Sequence, residues 1–137
     1  MMIMDTNVLS ELMRSTPDDN VLEYIETITD IAITAITVGE IQHGITRLPD
    51  GRRKSSLQAA FQAMLNEELS GRVLPYDQAA AVCYGELVTK REKIGQPISM
   101  ADGQIAAICL SHQARLATRN IKDFNHIGLN LVNPWLI

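Results

Sequence analysis

The amino-acid sequence predicts a single α/β domain, spanning residues 1–137, with helices on both faces of a mainly parallel sheet. Short apolar segments rich in β-branched residues alternate along the chain with longer segments of helical periodicity. Parallel strands need connections long enough to carry a helix, and such strands are apolar on both faces. A chain of 137 residues, 46% of them hydrophobic, is also long enough to bury one core. The predicted architecture is therefore a three-layer α/β/α arrangement.

The chain is predicted to begin with a strand, a helix, a second helix and a second strand. Residues 1–4 are apolar and stop at Asp5, and apolar residues then recur at helical spacing over 8–12. A helix is predicted to open at 16–19, because its proline suits a first turn and its acids suit the positive end of the helix dipole. Residues 31–36 are almost continuously apolar and rich in isoleucine, which predicts a buried strand of the parallel type.

The middle of the chain predicts three helices and a short strand. A helix over 37–48 ends at the Pro-Asp-Gly break of residues 49–51, and a long polar helix follows over about 52–69. A short strand is predicted at 72–74, before a proline, and a further helix over about 77–93.

The last part of the chain predicts a helix over 99–112 and strands at 116–118 and 129–132, with a turn near 120–126 between the strands. Five strand candidates thus alternate with helices. In a parallel sheet the carboxyl ends of the strands lie at one edge, and that edge is where ligands usually bind.

Composition excludes some classes of protein. The 12 basic and 16 acidic residues give a net charge of −4, so no global positive field attracts a nucleic acid. This argues against a simple nucleic-acid-binding module, but not against an enzyme whose bound metal supplies positive charge. Cys83 and Cys109 lie in apolar helical segments and are predicted to be buried, reduced thiols. The sequence contains no signal-peptide core and no apolar run of ~18 residues, so a cytoplasmic protein without a membrane partner is expected.

Four acidic residues, Asp5, Glu40, Asp102 and Asp123, are predicted to converge at the carboxyl edge of the sheet. Three of them follow strand candidates, and Asp102 begins a helix that runs antiparallel to the strand after it. Four carboxylates without cationic partners repel one another, unless some are protonated or a hard cation lies among them. The pattern therefore predicts a site for divalent metal.

The neighbouring polar residues allow two interpretations. They suit a supporting role, in which they hydrogen-bond a carboxylate, a metal-bound water or a phosphate oxygen. The spacing of three acids also matches the capping box, in which an acid and a cap residue three positions earlier close a helix start. The supporting candidates are Thr6, Asn7, Thr118 and Asn120, and the capping pairs are Thr37 with Glu40, Ser99 with Asp102, and Asn120 with Asp123.

Other functions remain open at this point. Glu40 with His43, and Asp123 with His126, have the acid-x-x-His spacing of di-iron helix bundles, but those need four long helices and this chain alternates strands with helices. A phosphatase with Asp5 as nucleophile usually needs a second acid two residues later, where this chain has Asn7. A non-catalytic binding module with the same fold is the third alternative.

The segments that contain the acids resemble a known family as a set. In order, they are Asp-Thr-Asn at 5–7, Thr-Val-Gly-Glu-Ile at 37–41, Ser-Met-Ala-Asp-Gly-Gln-Ile-Ala-Ala at 99–107, and Thr-Arg-Asn at 118–120 leading to Asp-Phe at 123–124. The chain resembles a PIN-domain protein over essentially its whole length, and within that family the VapC-type toxins of prokaryotic toxin-antitoxin pairs, including the FitB-like branch.

This resemblance implies a five-stranded parallel sheet, a site for Mg²⁺ or Mn²⁺, endoribonuclease activity, frequent homodimers and inhibition by a cognate antitoxin. Asp5, Glu40 and Asp102 match the three best-defined acids of the family, and Asp123 matches the fourth, which is the most variable. Thr118 and Asn120 match the polar residues that accompany them.

A chemical hypothesis follows for phosphodiester hydrolysis by one or two ions. In it Asp5 is a central ligand, Glu40 and Asp102 hold or orient one ion and the attacking water, and Asp123 completes a second site. An antitoxin could pair an inserted arginine with these carboxylates. RNA contact would come from local cations, foremost Arg119 and Lys122 beside the acids and Arg14, with Arg47, Arg52, Arg53, Lys54, Arg91 and Lys93 as further candidates.

Overall fold

The computed structural model describes all 137 residues and contains one sheet of five parallel strands. The strand order across the sheet is β3-β2-β1-β4-β5, which confirms the predicted parallel α/β architecture. The first strand is central, with Ile3 opposite Ala32 on one side and Leu116 on the other. The strands are β1 (Met2–Met4), β2 (Ile31–Thr34), β3 (Val73–Leu74), β4 (Arg115–Ala117) and β5 (Leu131–Val132).

Six α-helices connect these strands, and three short helical segments of other types complete the chain. The α-helices are α1 (Thr6–Leu12), α2 (Asp19–Glu26), α3 (Ala35–Thr46), α4 (Arg52–Ala63), α5 (Gln78–Lys93) and α6 (Met100–Ser111). A π-helical segment, Met64–Glu68, prolongs α4, and 3₁₀ turns lie at Ile121–Phe124 and Pro134–Leu136. None of the helices is both long and apolar enough to cross a membrane.

Two hydrophobic clusters cover the two faces of the sheet, as the three-layer prediction requires. Successive side chains of a strand point to opposite faces. Ile3 therefore packs with residues of α5 and α6, such as Leu87 and Ile108, while Met2 and Met4 pack with residues of α1 to α4. Cys109 is buried in the first cluster and Cys83 packs against it half-buried, and both thiols are free.

Two of the three predicted capping boxes are wrong. Strand β2 ends at Thr34, whose hydroxyl accepts a hydrogen bond from the backbone N–H of Thr37 at 3.2 Å, so α3 begins before Thr37. Asn120 makes no side-chain cap bond to the turn that follows it. Ser99 does cap α6, because its hydroxyl accepts from the backbone N–H of Asp102 at 3.2 Å.

The strand order fixes where a ligand can approach. From β1 the chain moves outward to β2 and β3, and it then returns to form β4 and β5 on the other side of β1. The order therefore reverses between β1 and β4. In open parallel sheets the crevice beyond the carboxyl ends of two such strands is the usual ligand site.

Candidate functional site

Asp5 lies at this reversal, directly after β1, and is the N-cap of α1. Its side chain accepts three hydrogen bonds: from the backbone N–H of Thr6 at 2.8 Å, the hydroxyl of Thr118 at 2.8 Å and the side-chain amide of Asn7 at 3.3 Å. The residue is only 4% exposed. Three donors from two neighbouring strand ends thus fix the orientation of a buried carboxylate.

Glu40 reaches the same edge from the exposed surface of α3. The hydroxyl of Thr6 donates to its Oε1 at 2.7 Å, and the hydroxyl of Thr37 lies 3.0 Å from that of Thr6. If Thr6 donates its single proton to Glu40, Thr37 must donate to Thr6. Thr6 is therefore the link between the strand end that carries Asp5 and the helix that carries Glu40.

Asp102 and Asp123 occupy first helical turns on the other side of Asp5. Asp102 is half-buried in the first turn of α6, and that helix leads directly into β4. Asp123 is exposed in the 3₁₀ turn that follows β4. All four predicted acids therefore lie at or just beyond the carboxyl edge of the sheet.

The electrostatics confirm that these acids influence one another. The pKa of Asp5 is raised to about 6, mainly because the carboxyl is buried; the hydrogen bonds from Thr118 and Thr6 lower it in part, and the nearby carboxylates of Asp102 and Glu40 add to the rise. Burial also raises the pKa of Asp102, with added repulsion from Asp123 and Glu40. None of the four carboxylates forms an ion pair with a lysine or arginine side chain. The cluster therefore has an excess of negative charge.

The donor set fits a hard divalent cation, which prefers carboxylate and other oxygen ligands. The side chains themselves are spread apart, since no three acidic, histidine or cysteine residues lie close enough to hold one ion as they stand. Mutual repulsion favours such an open arrangement. The structure therefore supplies ligands of the right chemical type for a divalent metal, but it does not hold them in a preformed cage.

Three of the four supporting candidates contact the acids through their side chains. The side chains of Asn7 and Thr118 donate to Asp5, and the Thr6 hydroxyl donates to Glu40, while the backbone N–H of Thr6 donates to Asp5. Asn120 takes part through its backbone, whose N–H donates to the Thr118 hydroxyl at 3.0 Å. The loop after β4 is thus held against Asp5.

Of the three foremost RNA-contact candidates, Arg119 and Lys122 are exposed beside the acids. The guanidinium of Arg119 lies 4.9 Å from the ring centroid of Trp135, a cation–π contact that orients the side chain. Arg14 is also exposed and forms an ion pair with Glu11 at 3.1 Å. All three can be reached from solvent.

The prediction that Arg91 contacts RNA is wrong. Arg91 is only 4% exposed, and its guanidinium donates to backbone carbonyls instead: to Gln96 at 2.6 Å, Asp123 at 2.9 Å and Asn125 at 3.2 Å. It has no carboxylate ion pair. A buried cation therefore ties the end of α5 to the turn that carries Asp123. The Lys/Arg-rich end of a helix gives no sign in sequence that one member folds inward.

Replacing Arg91 with methionine is expected to lower the free energy of unfolding by about 3 kcal/mol, because three carbonyl groups lose a charged donor. Methionine keeps the apolar stem in place. Urea unfolding measures the effect, with Lys93→Met as the exposed control on the same helix. Equal stability of the two variants would show that the Arg91 hydrogen bonds do not hold the Asp123 turn.

Known proteins match the part of the chain that contains the acidic site. The sequence matches the PIN domain over residues 2–129. It is 38% identical to the VapC ribonuclease Y4jK of Sinorhizobium fredii, over 98% of both chains. It is 32% identical to the toxin FitB of Neisseria gonorrhoeae, over 98% of this chain and 99% of that one.

Solved structures agree with this assignment. The crystal structure of FitAcB from Neisseria gonorrhoeae superposes with a TM-score of 0.92 at 32% identity, covering 100% of both chains. That of VapBC2 from Rickettsia felis, bound to a DNA fragment from its promoter, gives a TM-score of 0.81 at 28% identity over 97% of this chain and 98% of that one. The chain therefore belongs to the PIN-domain family.

Proposed function

We propose that this protein is a divalent-metal-dependent endoribonuclease and the toxin of a toxin-antitoxin pair. The observation that carries the proposal is the buried carboxylate of Asp5, which has the carboxylates of Asp102 and Glu40 nearby and forms no ion pair with a lysine or arginine. Burying such a charge without a partner is unfavourable, and a bound cation removes the penalty. Relatives named as VapC ribonuclease and FitB toxin match the whole length of the chain and support the substrate class.

In this proposal Asp5, Glu40, Asp102 and Asp123 hold one or two Mg²⁺ or Mn²⁺ ions. A bound ion supplies positive charge at the phosphate and lowers the pKa of a coordinated water. Asp5 is held by its three hydrogen bonds and gives the site its fixed point. Glu40 is exposed and is held near it by the Thr6 hydroxyl, and Asp123 is exposed on a short turn, so both can be reached by an ion from solvent.

The proposed partners are RNA, a second copy of the chain and an antitoxin. Neighbouring solved structures include one named as a toxin-antitoxin complex from Klebsiella pneumoniae, together with FitAB and VapBC2 of Rickettsia felis, each bound to a DNA fragment. The unpaired carboxylates suit an inhibitor that inserts an arginine, since a guanidinium pairs bidentately with carboxylate. The two free thiols agree with a proposed cytoplasmic location, where thiols stay reduced.

Incubation of the purified protein with single-stranded RNA tests the proposal. We expect internal cleavage with Mn²⁺ or Mg²⁺, none with EDTA, and recovery when metal is restored. RNA binding without metal-dependent cleavage would instead indicate a non-catalytic module. Turnover of p-nitrophenyl phosphate in the absence of RNA cleavage would indicate a phosphatase.

A further inference from the structure

A cleft of about 850 Å³ opens beside the acidic site, between α1, α3 and α4. One end of the cleft is formed by Thr6 and Glu40, which belong to the acidic site. Three arginines line the cleft: Arg14, Arg47 and Arg53. The cleft is therefore continuous with the carboxylates but opposite to them in charge.

The positive charge of this cleft is not what the composition of the chain favours. The net charge is −4, yet the cleft is lined by three cations and one acid, Glu40. Arg47 and Arg53 form no ion pair with any carboxylate, and both are exposed. Two guanidinium groups without an ion pair in one cleft favour an anionic ligand.

The remaining lining suits a polyanion with hydroxyl and ring groups. Serine hydroxyls can donate to phosphate oxygens, and an apolar floor can pack against ribose or base. The serines are Ser10, Ser15 and Ser56, and the floor includes Ile41, Ile45 and Leu57.

The position of the arginines relative to the acids sets their role. Arg47 follows Glu40 by seven residues at the end of α3, which corresponds to about 10 Å along a helix axis. Arg14 follows Thr6 by eight residues, just beyond α1. Arg47 and Arg14 therefore lie where they can hold the strand that leads away from the carboxylates.

We propose that this cleft binds the phosphate backbone of the RNA substrate on one side of the cleaved bond, through Arg47 and Arg53 with Arg14 at its edge. The proposal rests on the proposed ribonuclease function and adds a strand path to it. Guanidinium groups pair bidentately with phosphate. An acidic peptide could bind the same arginines and is the alternative that the test below must exclude.

The test measures binding of a fluorescein-labelled, mixed-sequence single-stranded RNA by anisotropy, in an Asp5→Asn background that prevents cleavage. We expect the additional double substitution Arg47→Met and Arg53→Met to weaken binding about 10- to 100-fold and to lower the salt dependence by about 1.4 in log–log slope. The matched control is Arg115→Met, because Arg115 is exposed at the opposite, amino edge of the sheet. It is expected to leave binding unchanged.

The same double substitution in the active protein separates this proposal from the proposed function. We expect KM for RNA to rise about tenfold with kcat unchanged, because the arginines bind the strand and do not touch the reacting phosphate. Cleavage with normal KM and binding would overturn the strand path and leave the ribonuclease intact. The strand path would also be wrong if the double variant bound RNA normally but lost binding to an acidic peptide. Absence of any metal-dependent cleavage by the unmodified protein would overturn the proposed function itself.

Discussion

Replacing Asp5 with asparagine is expected to lower metal-dependent RNA cleavage at least ~1000-fold while the protein stays folded. A metal ion contributes several kcal/mol of stabilisation at a phosphate transition state, and about 4 kcal/mol corresponds to three orders of magnitude in rate. Asparagine has nearly the same shape, its oxygen can still accept from the N–H of Thr6, and its amide can donate to the Thr118 hydroxyl. The substitution removes the charge that attracts the ion, together with the longer hydrogen bond from the side-chain amide of Asn7 at 3.3 Å.

Initial cleavage rates in saturating Mn²⁺ and thermal melting measure both parts of this expectation. Asp50→Asn is the matched control, because Asp50 is exposed beyond the far end of α3 and pairs only with Lys54. Glu40→Gln tests the same site at an exposed position where folding is not at risk, and a loss of about 100-fold is expected. A rate for Asp5→Asn within tenfold of the unmodified protein would exclude Asp5 as a metal ligand.

The sequence predicts the architecture well because each element carries its own signal. Segments such as 31–36 and the helix over 77–93 are recognised from local composition and periodicity, and the alternation of strands with helices then predicts a parallel sheet. The convergence of the acids is predictable for the same reason. Asp5 follows directly on a strand, and Asp102 begins the helix that leads into β4, so topology alone brings them to one edge.

What the sequence does not predict depends on contacts between distant segments. Arg91 resembles its exposed neighbours along the chain, and only packing of α5 against the Asp123 turn makes it a buried donor. The start of α3 is missed because Thr34, at the end of an apolar strand, is also a cap residue. Thr37 is thereby released from capping and contacts Thr6 instead. Local signals mark the elements, but the hydrogen-bond partners are decided by the fold.

The arrangement also explains why helix starts carry acids at this site. Asp5 caps α1, and Asp102 and Asp123 each lie in a first helical turn. Free backbone N–H groups at a helix start stabilise negative charge, which offsets part of the repulsion within the cluster. Capping and metal binding are therefore compatible uses of the same carboxylates, and the first helps the second by fixing where each side chain begins.

The raised pKa of Asp5 gives the second large expectation, a pH-dependent loss of stability in the metal-free protein. The carboxyl has its ordinary pKa of 3.8 when unfolded and about 6 when folded, so the folded state binds more protons between these values. Stability contributed by this group is therefore present at low pH and is lost as the pH rises through that window, by about 3 kcal/mol in total. Asp5→Asn cannot titrate and should lack this loss.

Urea unfolding in EDTA at pH 4.5 and pH 7.5 measures the effect as the difference between the unmodified protein and Asp5→Asn, which cancels the other titrating groups. We expect the free energy of unfolding of the unmodified protein, relative to that of the variant, to be lower at pH 7.5 than at pH 4.5. Addition of Mn²⁺ at pH 7.5 is expected to restore it. A metal at 100 times its Kd stabilises by about 2.7 kcal/mol, and only the protein with the ionised carboxylate should gain this. If the difference in free energy of unfolding between the two proteins stayed constant across pH and did not respond to Mn²⁺, burial of the ionised Asp5 would not destabilise the fold and metal would not bind there. A large difference that Mn²⁺ removes would identify the instability of the empty site as the driving force for binding the ion.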